Sequence, residues 1–450
     1  MTDQSEPRTS EAILEAIGRV EKEAPGGAEV LFMAAMLADS PLPYDYALSM
    51  DGTPHNPALI NPAAAFFAVT AIIDPLVTNE LIDVDADSQI FAIKDDVRAV
   101  LRASMDAEQT LDWAGRAIYG LNLALPDAEP QNWPTVQWLM PHILACRDLV
   151  NEIGVNTAAV NRVLHQAGFS LYHQQRFDEA VALLEAAMAV DVDLKGGQHP
   201  DIVADLEGLA TVYWAAEDYD RAEATFMACL ELQKEIFTEG NAATAPVLNS
   251  LGVIRQARGQ LKEAESTFEE CLAVLRVTQG EDHPATASCF SNMALLYEAM
   301  DQPERALELA EQGLVINRRL YGDHHPEVAG DHNTVALLYD RLGNASKAEE
   351  HFRTSLSIRE QVYGSDHPET AQAMCNMGLL LDSAGRSEEA FEFFDNGLAA
   401  YEYALGPHHP LMEPALNNFI ALLEKLVGSG QGELRARAEA RLQKIVERAG

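Results

Sequence analysis

Apolar and polar positions along residues 151–427 follow two nested periods. The shorter is helical. In the stretch 284–325 it predicts one helix from Pro284 to about Met300, a turn at Asp301-Gln302, and a second helix from Pro303 that Gly322 ends. Proline suits a first helical turn, where its missing N–H costs nothing, and glycine suits the left-handed residue that closes a helix. The longer period is 42 residues. Ala180, Ala222, Ala264, Ala306, Ala348 and Ala390 keep it without a slip. So do the pairs His199-Pro200, His283-Pro284, His325-Pro326, His367-Pro368 and His409-Pro410, with Asn241-Ala242 in the remaining register. Gly280, Gly364 and Gly406 share the register of Gly322, and Gly259, Gly343 and Gly385 mark the turn inside other units. A fixed period of this length predicts stacked helix pairs, a solenoid.

The residues of each pair resemble the tetratricopeptide repeat in the 42-residue form of kinesin light chains. The first helix carries Met293-Ala294-Leu295-Leu296-Tyr297. The second carries Ala306, with Phe226, Phe268, Phe352 and Phe394 at its bulky position. The register of Ala187, Cys229, Cys271, Gly313, Ser355 and Gly397 is the small position where helices approach closely, so its cysteines are read as packing residues. The resemblance spans roughly 158–427 and implies that first helices line a peptide-binding groove. Three ladders fall on that face. One is amide-rich: Asn249, Asn333 and Asn417, continued by Asn292, Asn376 and Asn418. One is largely apolar: Val253, Leu295, Leu337 and Leu379. The third runs Trp214, Gln256, Glu298, Asp340, Asp382 and Glu424. Asparagine amides offer a donor and an acceptor to an extended backbone, as in the kinesin light chain groove. The carboxylates depart from that family's more basic groove and imply a ligand rich in Lys or Arg.

Residues 28–103 do not follow the repeat. They read as short helices (Ala28–Ala38, Ala63–Ile73, Leu76–Ile82), a strand-like Gln89–Ile93, and a helix Asp95–Ser104. The run Ile90-Phe91-Ala92-Ile93-Lys94-Asp95-Asp96-Val97-Arg98, with Leu42-Pro43 before it and Asn132-Trp133 leading to Leu139-Met140-Pro141-His142, resembles the winged-helix and helical-arm region of STAND (NB-ARC) ATPases. That family's nucleotide-sensing histidine is replaced by Lys94, and no G-x-x-x-x-G-K-[ST] loop occurs to cradle phosphates. The resemblance therefore implies a switch without its engine, for which a separately encoded nucleotide-binding chain is a candidate partner.

Charge and candidate chemistry narrow the function. The chain has 450 residues, 31 Lys plus Arg against 70 Asp plus Glu, and a formal charge of −39. Such a surface repels phosphate backbones and anionic lipids. Residues 28–103 carry 3 basic and 11 acidic residues, which argues against DNA binding by a winged helix. The polar start and the short apolar run Ala63–Ile73 predict neither a signal peptide nor a membrane span, and scattered cysteines without a CxxC pair point to the cytoplasm. The recurrent Asp-His loops are read as helix caps, because loops a repeat apart cannot share one ion. No HExxH, GxSxG or EF-hand pattern is present. Gly428-Ser429-Gly430-Gln431-Gly432 reads as a linker, and the basic helix Glu433–Arg448 as a cap on the last apolar face.

The expected architecture is an all-α tetratricopeptide-repeat superhelical solenoid preceded by a small winged-helix-like module. Its segments are an N-terminal stretch (1–27), the module (28–105), a helical arm (106–150), the repeats (151–427), and a linker with capping helix (428–450). The expected function is protein or peptide binding as a cytoplasmic scaffold or sensor, with no catalysis, cofactor, metal, nucleic acid or membrane. The alternative is the sensor half of a STAND-type switch.

Overall fold

The computed structural model describes residues 8–44, 46, 62–237, 241–406, 409–429 and 432–449; His408 and the linker residues Gly430 and Gln431 lie outside them. The chain divides into two compact units, 1–237 and 238–450.

The first unit opens with helices α1 (Ser10–Glu23) and α2 (Gly27–Met36), followed by β1 (Leu42–Pro43), α3 (Pro62–Thr78), β2 (Ile82–Asp85), β3 (Ile90–Ile93) and α4 (Asp95–Ser104). The strands form an antiparallel sheet in the order β1-β3-β2, with Val84 opposite Phe91 and Leu42 opposite Phe91 on its other edge. Phe91, Ile93, Val97 and Leu101 are buried. The β2–β3 turn is held by Asp85, whose carboxylate accepts from the amides of Asp87 and Ser88 and the hydroxyl of Ser88, and these bonds hold its pKa below the usual carboxylate range. Arg98 and Arg102 donate to the carbonyls of Ala34, Ala35 and Leu37, satisfying the buried C-terminal end of α2. Helix α1 packs on α2 and α4, and Arg8 forks onto Asp96, so residues 8–27 pack against these elements. The reading of Leu76–Ile82 as a separate helix is corrected. Helix α3 runs through Pro75 to Thr78, and Ile82 begins a strand.

Helices α5 (Ala107–Ala124) and α6 (Trp133–Ile153) follow, then the pairs α7/α8 (Ala158–His173, Phe177–Lys195) and α9/α10 (Pro200–Ala215, Tyr219–Ile236). The second unit continues with α11/α12 (Thr244–Ala257, Leu261–Thr278), α13/α14 (Pro284–Ala299, Pro303–Tyr321), α15/α16 (Pro326–Arg341, Ala345–Tyr363) and α17/α18 (Pro368–Ser383, Ser387–Leu405). Helices α19 (Glu413–Ser429) and α20 (Glu433–Ala449) end it. The repeats are all-helical, and within each unit consecutive pairs pack on one another, as the 42-residue period requires.

Four devices recur among the pairs. The His before each Pro caps the first helix: Nδ1 of His199, His283, His325 and His367 accepts the backbone N–H two residues on at 3.2 Å, and that of His409 at 3.3 Å. Asn241 does the same with Oδ1 at 3.1 Å. The preceding aspartates do not cap; Asp282 and Asp323 bind Arg319 and Arg318 instead. The turn within a pair needs a left-handed residue, met by Gly259, Gly343 and Gly385 but by Gln175, Glu217 and Asp301 elsewhere. The small position sits against a carbonyl 26 residues earlier. Cys271 Sγ lies 3.3 Å from Ala245 O, Ser355 Oγ donates to Ala329 O at 2.7 Å, and Cys229 Sγ lies 3.7 Å from Val203 O. Last, the buried tyrosines Tyr213, Tyr297 and Tyr339 reach Glu185, Glu265 and Glu311, so their hydroxyls are satisfied. Helix α20 docks its arginines on α18, Arg437 to Glu392 at 2.7 Å and Arg441 to Asp395 at 2.6 Å.

Candidate peptide-binding face

The first helices of the second unit touch one another directly, and the partners are always 43 residues apart. Asn292 Nδ2 donates to Asn249 Oδ1 at 2.9 Å, and Asn376 Nδ2 to Asn333 Oδ1 at 2.8 Å. All four amides are half-buried. The amide ladder is thus a set of side-chain pairs stitching α11 to α13 and α15 to α17. Each such bond uses one of the pair's four N–H donors and one of its four carbonyl lone pairs, leaving three of each for other partners.

The carboxylates are also partnered. Arg341 Nη1 donates to Glu298 Oε1 at 3.1 Å, and its Nη2 to Asp301 at 2.8 Å. Lys425 Nζ donates to Asp382 Oδ1 at 2.5 Å, joined by the Ser387 hydroxyl. Amide pairs and ion pairs therefore alternate along the stack. Residue 383, the position facing Asp340, is a serine, and the Asp340 carboxylate has no hydrogen bond or ion pair among the described residues. Partial burial raises the Asp340 pKa. Asn417 and Glu424 are exposed on α19, and Gln256 is half-buried on α11.

Between these two sets runs the apolar ladder. Leu295, Leu337 and Leu379 are 49%, 47% and 42% exposed on three successive first helices. Leucine at nearly half exposure, repeated in register, is a stripe of uncovered apolar surface. Trp214 belongs to the first unit, on α9, and is 44% exposed.

Burial pushes the Cys229 and Cys375 thiols up to about 12 and raises Cys146 further. Among the described residues no group of three or more His, Cys, Asp or Glu could hold a metal ion, and no helix is long and apolar enough to cross a membrane. What the sequence did not reveal was the role of Arg341 and Lys425. Their 43-residue offset from Glu298 and Asp382 is the signal that marks them.

The Tetratricopeptide repeat family profile matches residues 159–235, 243–319 and 330–403, just over half of the chain. No curated protein matches it. Among solved structures, the chain is similar to BtubC (BKLC) from P. vanneervenii at 19% identity and a TM-score of 0.47, over 52% of this chain and 94% of that one. It is also similar to the nearly identical TPR-like repeats of a Podosopora anserina putative kinesin light chain, at 22% identity and a TM-score of 0.42, over 46% and 98% of the two chains.

Proposed function

Because the chain belongs to the tetratricopeptide repeat family, whose repeats are protein-interaction modules, we propose that it is a binding scaffold whose ligand is a protein segment held on the first-helix face of 244–429. The observation that carries this reading is the exposed leucine stripe of α13, α15 and α17. Covering one leucine recovers part of its roughly 1.5–3 kcal/mol of burial, so three in line are enough to anchor a short segment. The paired amides beside the stripe supply backbone hydrogen bonds at alternate helix junctions. Asp340 and Glu424, which no cation offsets among the described residues, favour a segment carrying Lys or Arg. The ion pairs at Glu298 and Asp382 reduce the acidic ladder to these positions, so the charge contribution is smaller than the sequence pattern suggests.

The test is selection from a random peptide display library, with the wild-type chain and a Leu295→Ser/Leu337→Ser/Leu379→Ser variant side by side. Wild type should enrich peptides combining apolar and basic residues. The variant should enrich none of them while melting at an unchanged temperature. Equal enrichment by both proteins would sink the reading, and so would enrichment of acidic peptides as regards Asp340 and Glu424.

We read the N-terminal module as winged-helix-like. The helix order and the β2–β3 hairpin support this, and its acidic balance argues against nucleic acid as its ligand.

A further inference from the structure

One repeat, α15/α16, breaks the chemistry of its own registers. His332 stands where the other repeats carry Leu206, Leu248, Phe290, Met374 and Leu416. Arg353 stands where four others carry Glu185, Glu269, Glu311 and Asp395. Ser357 replaces Ala189, Ala273 and Ala399, and His351 replaces Leu183, Leu309 and Phe393. A solenoid tolerates such losses of apolar packing poorly, because each repeat is held only by its neighbours. Here the replacements converge.

Between α14 and α16, on the side of the second helices, a cavity of about 480 Å³ is lined by Arg318, His324, His332, Arg353, Thr354 and Ser357. Its one acidic lining residue, Asp323, is engaged by Arg318 Nε at 2.6 Å. Arg353 Nη2 lies 2.5 Å from Glu349, which also takes Arg386 at 2.7 Å. Each carboxylate thus fixes one edge of a guanidinium and leaves the remaining N–H groups for another acceptor. His332 Nδ1 lies 2.9 Å from His351 Nδ1, which orients the ring and leaves Nε2 as its uncommitted nitrogen. Burial, His351 and Arg318 lower the His332 pKa to about 4, so the imidazole is neutral at physiological pH. The cavity therefore gathers two guanidinium forks, the Ser357 hydroxyl and imidazole nitrogens in a chain of net charge −39, while the Thr354 hydroxyl donates to Glu350 O at 2.9 Å. That donor set is complementary to a tetrahedral oxyanion, whose three terminal oxygens accept several charge-assisted bonds at once.

We propose that this cavity binds the phosphoryl group of a phosphate monoester. The volume exceeds what an isolated phosphate fills, leaving room for the group that carries it. The carrier is either a free small phosphate ester or a phosphorylated side chain of a protein, and both present the same oxygens.

The test is calorimetric titration of the full chain with inorganic phosphate, O-phosphoserine and a phosphoserine peptide, with serine and the unphosphorylated peptide as blanks. The phosphorylated ligands should bind and the blanks should not. Tightest binding of free O-phosphoserine identifies a small ester, and tightest binding of the peptide a phosphoprotein; both support the proposal. Two variants install residues that neighbouring repeats already carry, so both should fold, which a melting curve of each checks. Arg353→Glu should weaken binding about tenfold or more, as expected for losing one charge-assisted bond. Glu349 keeps Arg386 as partner in that variant. His332→Leu should weaken binding without lowering the melting temperature. The proposal is overturned if no phosphorylated ligand binds the wild-type chain, or if Arg353→Glu binds as tightly as wild type.

Discussion

Two glycines in the same register make opposite predictions when changed to alanine. Both Gly313, in α14, and Gly397, in α18, occupy the small position, and both are interior to a helix. Alanine in a helix interior is favoured over glycine by about 1 kcal/mol, so propensity alone would stabilise both variants. The surroundings differ. A Cβ at Gly313 would meet Ala287 O at 3.4 Å and Ser291 Oγ at 3.6 Å, ordinary contact distances. At Gly397 it would meet Cys375 Sγ at 2.8 Å, Ala371 O at 3.0 Å and Met374 Cβ at 3.2 Å. Two of these neighbours are fixed to the backbone of α17, so the helices must separate. Overpacking of this kind costs about 1–3 kcal/mol. Gly313→Ala should therefore stabilise by up to about 1 kcal/mol, and Gly397→Ala should destabilise by up to about 2 kcal/mol net. At about 2–4 °C per kcal/mol for a unit of this size, the two melting temperatures should lie several degrees apart, on opposite sides of wild type. Scanning calorimetry of both variants, with urea melts as a second measure, decides it. Shifts in the same direction would refute the reasoning that the junction between α17 and α18 is tighter than that between α13 and α14.

The same register predicts that Cys271→Leu loses about 1–3 kcal/mol while Cys271→Ser is near neutral, since Ser355 already makes the equivalent bond to a carbonyl; urea melts of the two variants check this. Glu217, held at φ +60° where other repeats place glycine, should gain about 0.5–1 kcal/mol on replacement by Gly, read as a raised thermal midpoint. Burial raises the Asp331 pKa from its ordinary 3.8 to about 6. Because the folded value lies above the unfolded one, the stabilising effect of its proton is complete below about pH 3.8 and lost as pH rises through about 6. Asp331→Asn should accordingly gain about 1–2 kcal/mol at pH 7.5, allowing for the water that still reaches the carboxyl, and almost nothing at pH 4; melts at both pH values test this.

Helix bounds in the repeats were legible because Pro and Gly punctuate them: Pro284–Ala299 and Pro303–Tyr321 fall within a residue of the sequence reading. Punctuation failed where Pro75 lies inside a helix and a short apolar stretch around Leu81-Ile82 turns into strand, a case that periodicity cannot decide. On the candidate face, the 42-residue frame identified which positions share a side. It did not show that Asn249 binds Asn292 or that Arg341 offsets Glu298, because those contacts depend on the stagger between neighbouring helices. Aligning the repeats against one another would have exposed His332, since it alone is polar in an otherwise apolar column.

The alternation of amide and ion junctions carries a consequence for the chain's modularity. Asn249–Asn292 recurs as Asn333–Asn376, and Glu298–Arg341 as Asp382–Lys425, each 84 residues on. In backbone terms the module is one helix pair, but in side-chain terms it is two. Excising 284–367 would join His283 to Pro368, keep the His-Pro cap, and set Asn249 opposite Asn376. Excising only 284–325 would keep the same cap but set Asn249 opposite Thr334 and Gln256 opposite Arg341. Shortening or lengthening of this array by gene rearrangement should therefore be tolerated in even steps and penalised in odd ones, a parity rule written in the amides rather than in the fold.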